Sequence, residues 1–436
     1  MVCDCFMSAP GLMDQTSAEI SPPKLITALR GFNLLPAIVF LPTRRRCDEA
    51  ATAVAADKAQ RSDPERQARR QNIFDEFAKE YPEVLDHKHS KLIVHAGVAA
   101  HHAGHIPSWK LLIEKMMSSG LLNALFATST VAAGVDFPAR TVVVSNADTR
   151  GNDGWRPLSA SELQQMTGRA GRRGRDNVGF VVLAPGQFQN PKKIAELLKA
   201  PPDALVSRFR ATYTSLLNLL DAFGNFEQIQ EIAEKSFSTF RTPHSELRTK
   251  EIWEPFDRRA KVLDHFGYLD YEHETVTESG KWLADLRIDR PLLVGEGLRQ
   301  GIFDDLKISE AAGLMASVAS DADRSYGEMR ATRRMTDILV NFEDLVMTVS
   351  NVEWKLGVEP AEEINYSAAS AAERWTGGME WDELVDRTRA EEGDLVRLLS
   401  RTGEALRQLA NLKDTNPTAA SIAFAASEKI LREPIR

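Results

Sequence analysis

Cysteine is nearly absent: the chain has three in 436 residues, Cys3, Cys5 and Cys47. A disulfide framework is therefore excluded, and Cys3-x-Cys5 is too short and too terminal to suggest a metal site. No apolar run reaches the roughly 20 residues that span a bilayer. Residues 1–23 lack a basic region followed by an apolar core, so no secretory signal is expected, and the cytoplasm is the default compartment. Internal repeats and low-complexity tracts are lacking too.

What remains is an ordinary globular composition, 43% hydrophobic and 27% charged, with length for about two to four domains. The net charge of −8 hides an asymmetry. Residues 1–200 carry 25 Lys and Arg against 20 Asp and Glu, and the remainder carries 29 against 42. A broadly basic surface is excluded, so any nucleic-acid contact rests on a local patch.

From about Pro36 to Ala200 short apolar runs alternate with helical stretches. Ala37–Leu41, Lys91–His95, Ala124–Ala127, Thr141–Ser145 and Val178–Leu183 read as buried strands. Arg44–Ala59, Ser108–Ser118 and Ser159–Met166 read as helices. The alternation predicts an α/β fold, a parallel sheet with helices on both faces. Ligands in such sheets bind at the carboxyl ends of the strands, where Thr128–Asp136 and the arginine-rich stretch described next are both expected.

Residues 162–175 read Glu-Leu-Gln-Gln-Met-Thr-Gly-Arg-Ala-Gly-Arg-Arg-Gly-Arg. Arg169 and Arg172 are interleaved with glycines, and Gln165 lies one turn upstream. Glycine lets a backbone approach a ligand closely, and arginine offers planar, permanently charged donors to phosphate oxygens. Thr128 and Thr130 follow an apolar strand and could hold a backbone phosphate, while Gly134 permits a tight turn before Asp136. Arg44 to Arg46 place positive charge at a helix start, where the dipole disfavours it, and that favours an anion contact. Six of nine histidines lie between His87 and His105, yet their spacing fits no standard zinc pattern, so local packing is expected and no metal.

After Pro201-Pro202 the pattern changes. Asp203–Leu220 and Phe226–Phe237 read as helices, then Phe266–Asp270 and Thr275–Gly280 as two short strands around a turn, with a helix at Lys281. Beyond Pro291 only helical periodicity is found. Asp394–Leu409 is the clearest case, with Leu395, Leu398, Leu399, Ala405, Leu406 and Leu409 on a buried stripe and Arg397 and Arg401 on another face.

In this order the motifs resemble the second half of a superfamily 2 DExH helicase of the superkiller and exosome-associated type. The resemblance is carried by Leu35-Pro-Ala-Ile-Val-Phe, His101-His-Ala-Gly, Phe126-Ala-Thr-Ser-Thr-Val-Ala-Ala-Gly-Val-Asp-Phe-Pro-Ala-Arg-Thr and Gln165-Met-Thr-Gly-Arg-Ala-Gly-Arg-Arg-Gly, and more loosely by later segments. It implies a tail at 1–23, a second RecA-like domain at 24–200, a winged helix at 201–290 and an all-α ratchet-like domain at 291–436. It also implies that Arg169 and Arg172 are arginine fingers, that Gln165 helps sense the γ-phosphate, and that Gly134 and Asp136 are nucleotide-side positions. Arg44, Thr128 and Thr130 would touch the strand backbone, and Arg397 and Arg401 would face unwound bases.

The sequence contains no Gly-x-x-x-x-Gly-Lys-[Ser/Thr] and no Asp-Glu-x-His. ATP and Mg²⁺ are therefore expected only with a first RecA-like domain supplied in cis or in trans, and the chain alone is expected to be inactive. Phe240 to Trp253 leaves no room for the long arch insertion of the exosome-associated members. The resulting expectation is the C-terminal half of an ATP-dependent RNA or DNA helicase acting on a single strand. The alternatives are a non-catalytic single-strand-binding module and an interaction protein built on the acidic half.

Overall fold

The computed structural model describes residues 19–60, 63–129, 137, 139–151, 154–172, 174–186, 189–205, 210–235, 246–320, 324–360 and 363–435. The chain folds as two compact units, Met1–Ala204 and Leu205–Arg436.

The first unit is α/β. Its strands β1 (Ala37–Phe40), β2 (Val98–His101), β3 (Ala124–Ala127), β4 (Thr141–Val144) and β7 (Phe180–Leu183) form one sheet in the order β2-β3-β1-β4-β7. Every pairing in it is parallel. A separate antiparallel hairpin joins β5 (Asp148–Gly151) to β6 (Gly154–Pro157). The helices are α1 (Pro22–Gly31), α2 (Arg44–Ala56), α3 (Pro64–Ala78), α4 (Ser90–Ala96), α5 (Pro107–Ser118), α6 (Ala160–Thr167) and α7 (Pro191–Lys199). Leu25, Ile26 and Leu29 of α1 and Ala50, Ala51 and Val54 of α2 share a core with Val39, Ala100, Phe126 and Val143 of the sheet. The alternate strand residues Ile38, Ala99, Leu125 and Val142 are fully buried as well, so both faces are covered.

Three expectations shift. Lys91–His95 is helical, within α4, and the strand lies at Val98–His101 instead. Gly97 ends the helix in the left-handed region at φ 65°, and the buried Arg70 bonds the carbonyls of Val94 and His95 in its last turn. Propensity misled at the strand: two of its four residues are alanines, which let α2 pack closely on the sheet. At the N-terminus, the stretch assigned to a tail enters the fold at Glu19. Arg46 pairs with Glu19 at 3.3 Å, Ile20 N–H donates to the Pro185 carbonyl, and α1 starts at Pro22. In the second unit, the first helix starts at Tyr213 rather than Asp203, because Thr212 and Ser215 cap it reciprocally.

That unit opens with helices Tyr213–Phe223, Phe226–Glu234 and Glu246–His265. The antiparallel pair β8 (Leu269–Asp270) and β9 (Thr275–Val276) follows, then the helix Glu278–Asp285. Beyond Pro291 the described residues form only helices. Ile308–Ala319 is buried from Glu310 onward and packs against Tyr366–Thr376, Glu392–Ala410 and Pro417–Ile430.

Candidate functional site

The arginine loop is built from α6. Ser159 and Glu162 form a capping box at its start, and Ala160, Leu163 and Met166 bury one face. Gln165 lies on the exposed side. The helix stops at Gly168, and the chain then docks on residue 139. Ala139 N–H donates to the Arg169 carbonyl at 3.1 Å, and Gly171 N–H donates to the Ala139 carbonyl at 2.7 Å. Two glycines make room for this. Gly171 has φ 92°, and a Cβ on Gly179 would stand 2.4 Å from the Ala170 carbonyl carbon and oxygen.

Arg172 then closes on Asp176. Its N–H and Nε donate to Asp176 Oδ2 at 3.0 and 2.7 Å, and its Nη2 donates to Oδ1 at 2.9 Å. Arg140 Nη1 reaches the same Oδ1 at 3.2 Å, and its guanidinium lies over the Phe180 ring. The Asp176 side chain is 1% exposed, against 22% for Arg172. The hydrogen bonds from Arg172 hold the Asp176 carboxyl down at about 2, against the upward push of burial. Asp176 and Arg140 were not singled out from the sequence, although Arg-x-x-x-Asp at 172–176 is a readable ion-pair spacing.

The loop stands at the amino edge of the sheet, not the carboxyl edge expected for it. Residues 139 and 140 precede β4, and Phe180 N–H, at the start of β7, donates to the Arg140 carbonyl. The reason is topological. A helix that crosses over between parallel strands returns the chain to the amino end of the next one, and this loop sits between α6 and β7. Thr128 follows β3 and Arg44 opens α2 after β1, so these two do stand at the carboxyl edge, on neighbouring strands. Thr43 caps α2 by accepting from Arg46 N–H, while the Arg45 and Arg46 side chains pair with Glu49 and Glu19. Thr130, Gly134 and Asp136 lie outside the described residues.

In the second unit the predicted stripe on Glu392–Ala410 is buried as expected. Arg397 sits 3.9 Å from Asp394, which Arg324 also contacts at 3.1 Å. Arg401 pairs with Asp289 at 2.7 Å. Asp289, absent from the sequence reading, lines a cleft of about 350 Å³ together with Tyr213, Arg259 and Glu353, where Tyr213 donates to Glu353 at 2.7 Å.

Known proteins extend this picture. The profile of the DSHCT (NUC185) domain matches residues 273–436. The chain is 34% identical over 257 residues to the DExH-box ATP-dependent RNA helicase DExH15 chloroplastic of Arabidopsis thaliana, a match over 54% of this chain and 21% of that protein. It is 35% identical over 251 residues to Superkiller complex protein 2 of Homo sapiens, 55% of this chain and 19% of that protein. It is 34% identical over 224 residues to Exosome RNA helicase MTR4 of Homo sapiens, 50% of this chain and 21% of that protein. The matched part thus spans about a fifth of each relative's length.

Proposed function

From a chain related to the C-terminal part of Ski2-like DExH helicases, we propose that these two units supply the phosphate-responsive arginines and the strand-binding surface of an ATP-dependent RNA helicase. On this reading residues 24–200 are its second RecA-like domain, 201–290 a winged helix and 291–436 a ratchet-like helical domain. The observation that supports it is the arginine loop. Two backbone hydrogen bonds dock it on Ala139, and Asp176 orients Arg172. A guanidinium held this way loses little freedom when it meets phosphate, which is the requirement for stabilising transferring charge.

The donors fit a polyphosphate: Arg169 and Arg172 three residues apart, with Gln165 on the exposed face of the preceding turn. ATP with Mg²⁺, held mainly by a first RecA-like domain in cis or in trans, would supply the free energy of phosphoryl transfer. Arg172 would meet developing negative charge with the part of its guanidinium that Asp176 does not engage. Thr128 and Arg44, together with Thr130, would hold the strand backbone. Arg397 and Arg401 would act on bases that have left the duplex.

The test is reconstitution. The chain alone should not hydrolyse ATP. Supplied with a first RecA-like domain of the same family, it should show RNA-stimulated turnover, and Arg172→Ala should lower that turnover by about 10³-fold or more with strand binding kept. Robust RNA-stimulated hydrolysis by the chain alone would sink the divided motor, and unchanged turnover in Arg172→Ala would sink the finger.

A further inference from the structure

Five buried histidines sit in the first unit outside the arginine loop, and three of them converge on one carboxylate oxygen. Asp48 lies in the second turn of α2. His102 Nε2 is 3.0 Å from its Oδ1, His105 Nε2 is 3.3 Å away and His89 Nδ1 3.7 Å. The three imidazole side chains are no more than 5% exposed. Lys88 Nζ holds the other oxygen, Oδ2, at 2.7 Å. His87 stacks on the buried Trp109 at 3.7 Å and meets His105 edge-on, so the cluster has a packed aromatic wall.

Hydrogen bonding within the protein does not account for this arrangement. Of the three histidines only His102 bonds Asp48 with donor geometry. Both ring nitrogens of His105 and Nδ1 of His89 are buried without a hydrogen-bond partner. Buried polar atoms left this way call for an explanation, and an ion is one.

We propose that Asp48, His102 and His105 form a binding site for a zinc-class divalent cation, with His89 Nδ1 beside it, 3.7 Å from the same carboxylate oxygen. In tetrahedral sites with bonds of about 2.0–2.2 Å, ligand atoms stand roughly 3.3–3.6 Å apart, and the His102 and His105 nitrogens approach Asp48 Oδ1 at 3.0 and 3.3 Å. The ligand atoms of Asp48, His102 and His105 already lie within 4.8 Å of one another. The donor set is nitrogen and oxygen only, because the neighbouring Cys47 is buried in the core beneath α2. Asp48 binds through Oδ1 and keeps Oδ2 for Lys88, whose side chain is 58% exposed and can swing aside as charge enters. His102 must change tautomer. Its Nδ1 now accepts from Gly104 N–H at 3.1 Å, which leaves the proton on Nε2. Ligation through Nε2 puts a proton on Nδ1 and opens that contact. The ion ties α2 to the loop after β2, two segments far apart in sequence. The site stands independently of the helicase reading.

The test uses the full chain, stripped with a chelator and titrated with Zn²⁺ by calorimetry and with Co²⁺ by visible absorption. One equivalent should bind, with the intense bands of tetrahedral Co²⁺. Asp48→Asn and His105→Gln should each weaken binding at least about 10-fold, with folding checked by circular dichroism. His95→Gln, on an exposed ring bonded to Gln67, and Cys3→Ser with Cys5→Ser should leave it unchanged. X-ray absorption on the wild-type chain needs no variant and should show nitrogen and oxygen neighbours with no sulfur. No binding, binding that survives both ligand variants, or sulfur around the ion overturns the site.

Discussion

Arg172 and Asp176 are joined by three hydrogen bonds, from the N–H, Nε and Nη2 of the arginine to the two oxygens of an almost fully buried carboxylate. The arginine is thereby aimed by a partner four residues on. Its function should depend on Asp176 almost as much as on its own charge.

That dependence is measurable. Asp176→Asn keeps every arginine but weakens the grip on Arg172 and Arg140. In a reconstituted motor it should lower turnover by up to about 10²-fold, the scale of a small misplacement of a catalytic group. RNA binding, read by anisotropy, should change little. Equal losses in both would mean the pair is only structural.

The same pair sets an acid limit. Asp176 is held at about 2, below the roughly 3.9 of an unfolded aspartate. A depressed carboxyl contributes stability that is present above the unfolded value and lost as pH falls through the folded one. The stability difference between the wild type and Arg172→Ala should therefore shrink between about pH 4 and pH 2. Denaturant titrations at several pH values would show it, and a gap constant over that window contradicts the assignment.

Gly179→Ala tests the docking of the loop. Its Cβ would meet Ala170 backbone atoms at 2.4 Å, and backbone cannot swing aside. A loss of about 2 kcal/mol or more is expected, with faster amide exchange at Gly171. Gly31→Ala, where nothing lies within 4 Å, should stay within about 0.5 kcal/mol of the wild type.

Arg70 is a buried cation held by carbonyls. It donates to Val94, Leu121 and His95 at 2.7, 3.2 and 3.4 Å, and burial, helped by the nearby Arg66 charge, lowers it to about 10. Arg70→Met removes these donors and strands the carbonyls at the end of α4. A cost of about 3 kcal/mol is expected, seen as loss of exchange protection in α4 before the sheet opens.

The proposed function puts Arg401 at the nucleic-acid strand. If it meets a phosphate when its bond to Asp289 opens, Arg401→Ala should reduce the slope of log affinity against log salt by about 0.7 for single strands. An unchanged slope would exclude a phosphate contact, and an unchanged affinity would remove Arg401 from the interface altogether.

Several of these features were legible without coordinates. Apolar runs such as Ala37–Phe40, Ala124–Ala127 and Thr141–Val144 alternate with helical stretches, and that period alone demands a parallel sheet covered on both faces. The buried stripe from Leu395 to Leu409 follows from spacing in the same way. Local capping chemistry at Ser159 set the start of α6. What depended on residues far apart in the chain was not legible. Nothing in the neighbourhood of His102 and His105 points to Asp48, because the carboxylate comes from α2, 54 residues before His102 in the chain. Arg401 finds Asp289 only after the helices have packed. The edge of the sheet on which the arginine loop stands was decided by the direction of a crossover, which residue types do not encode. Periodicity and caps act over a few residues, so a sequence carries them openly. Partnerships across tens of residues arise when burial brings charges into a medium that penalises them unpaired, and only the folded chain determines which carboxylate answers which cation.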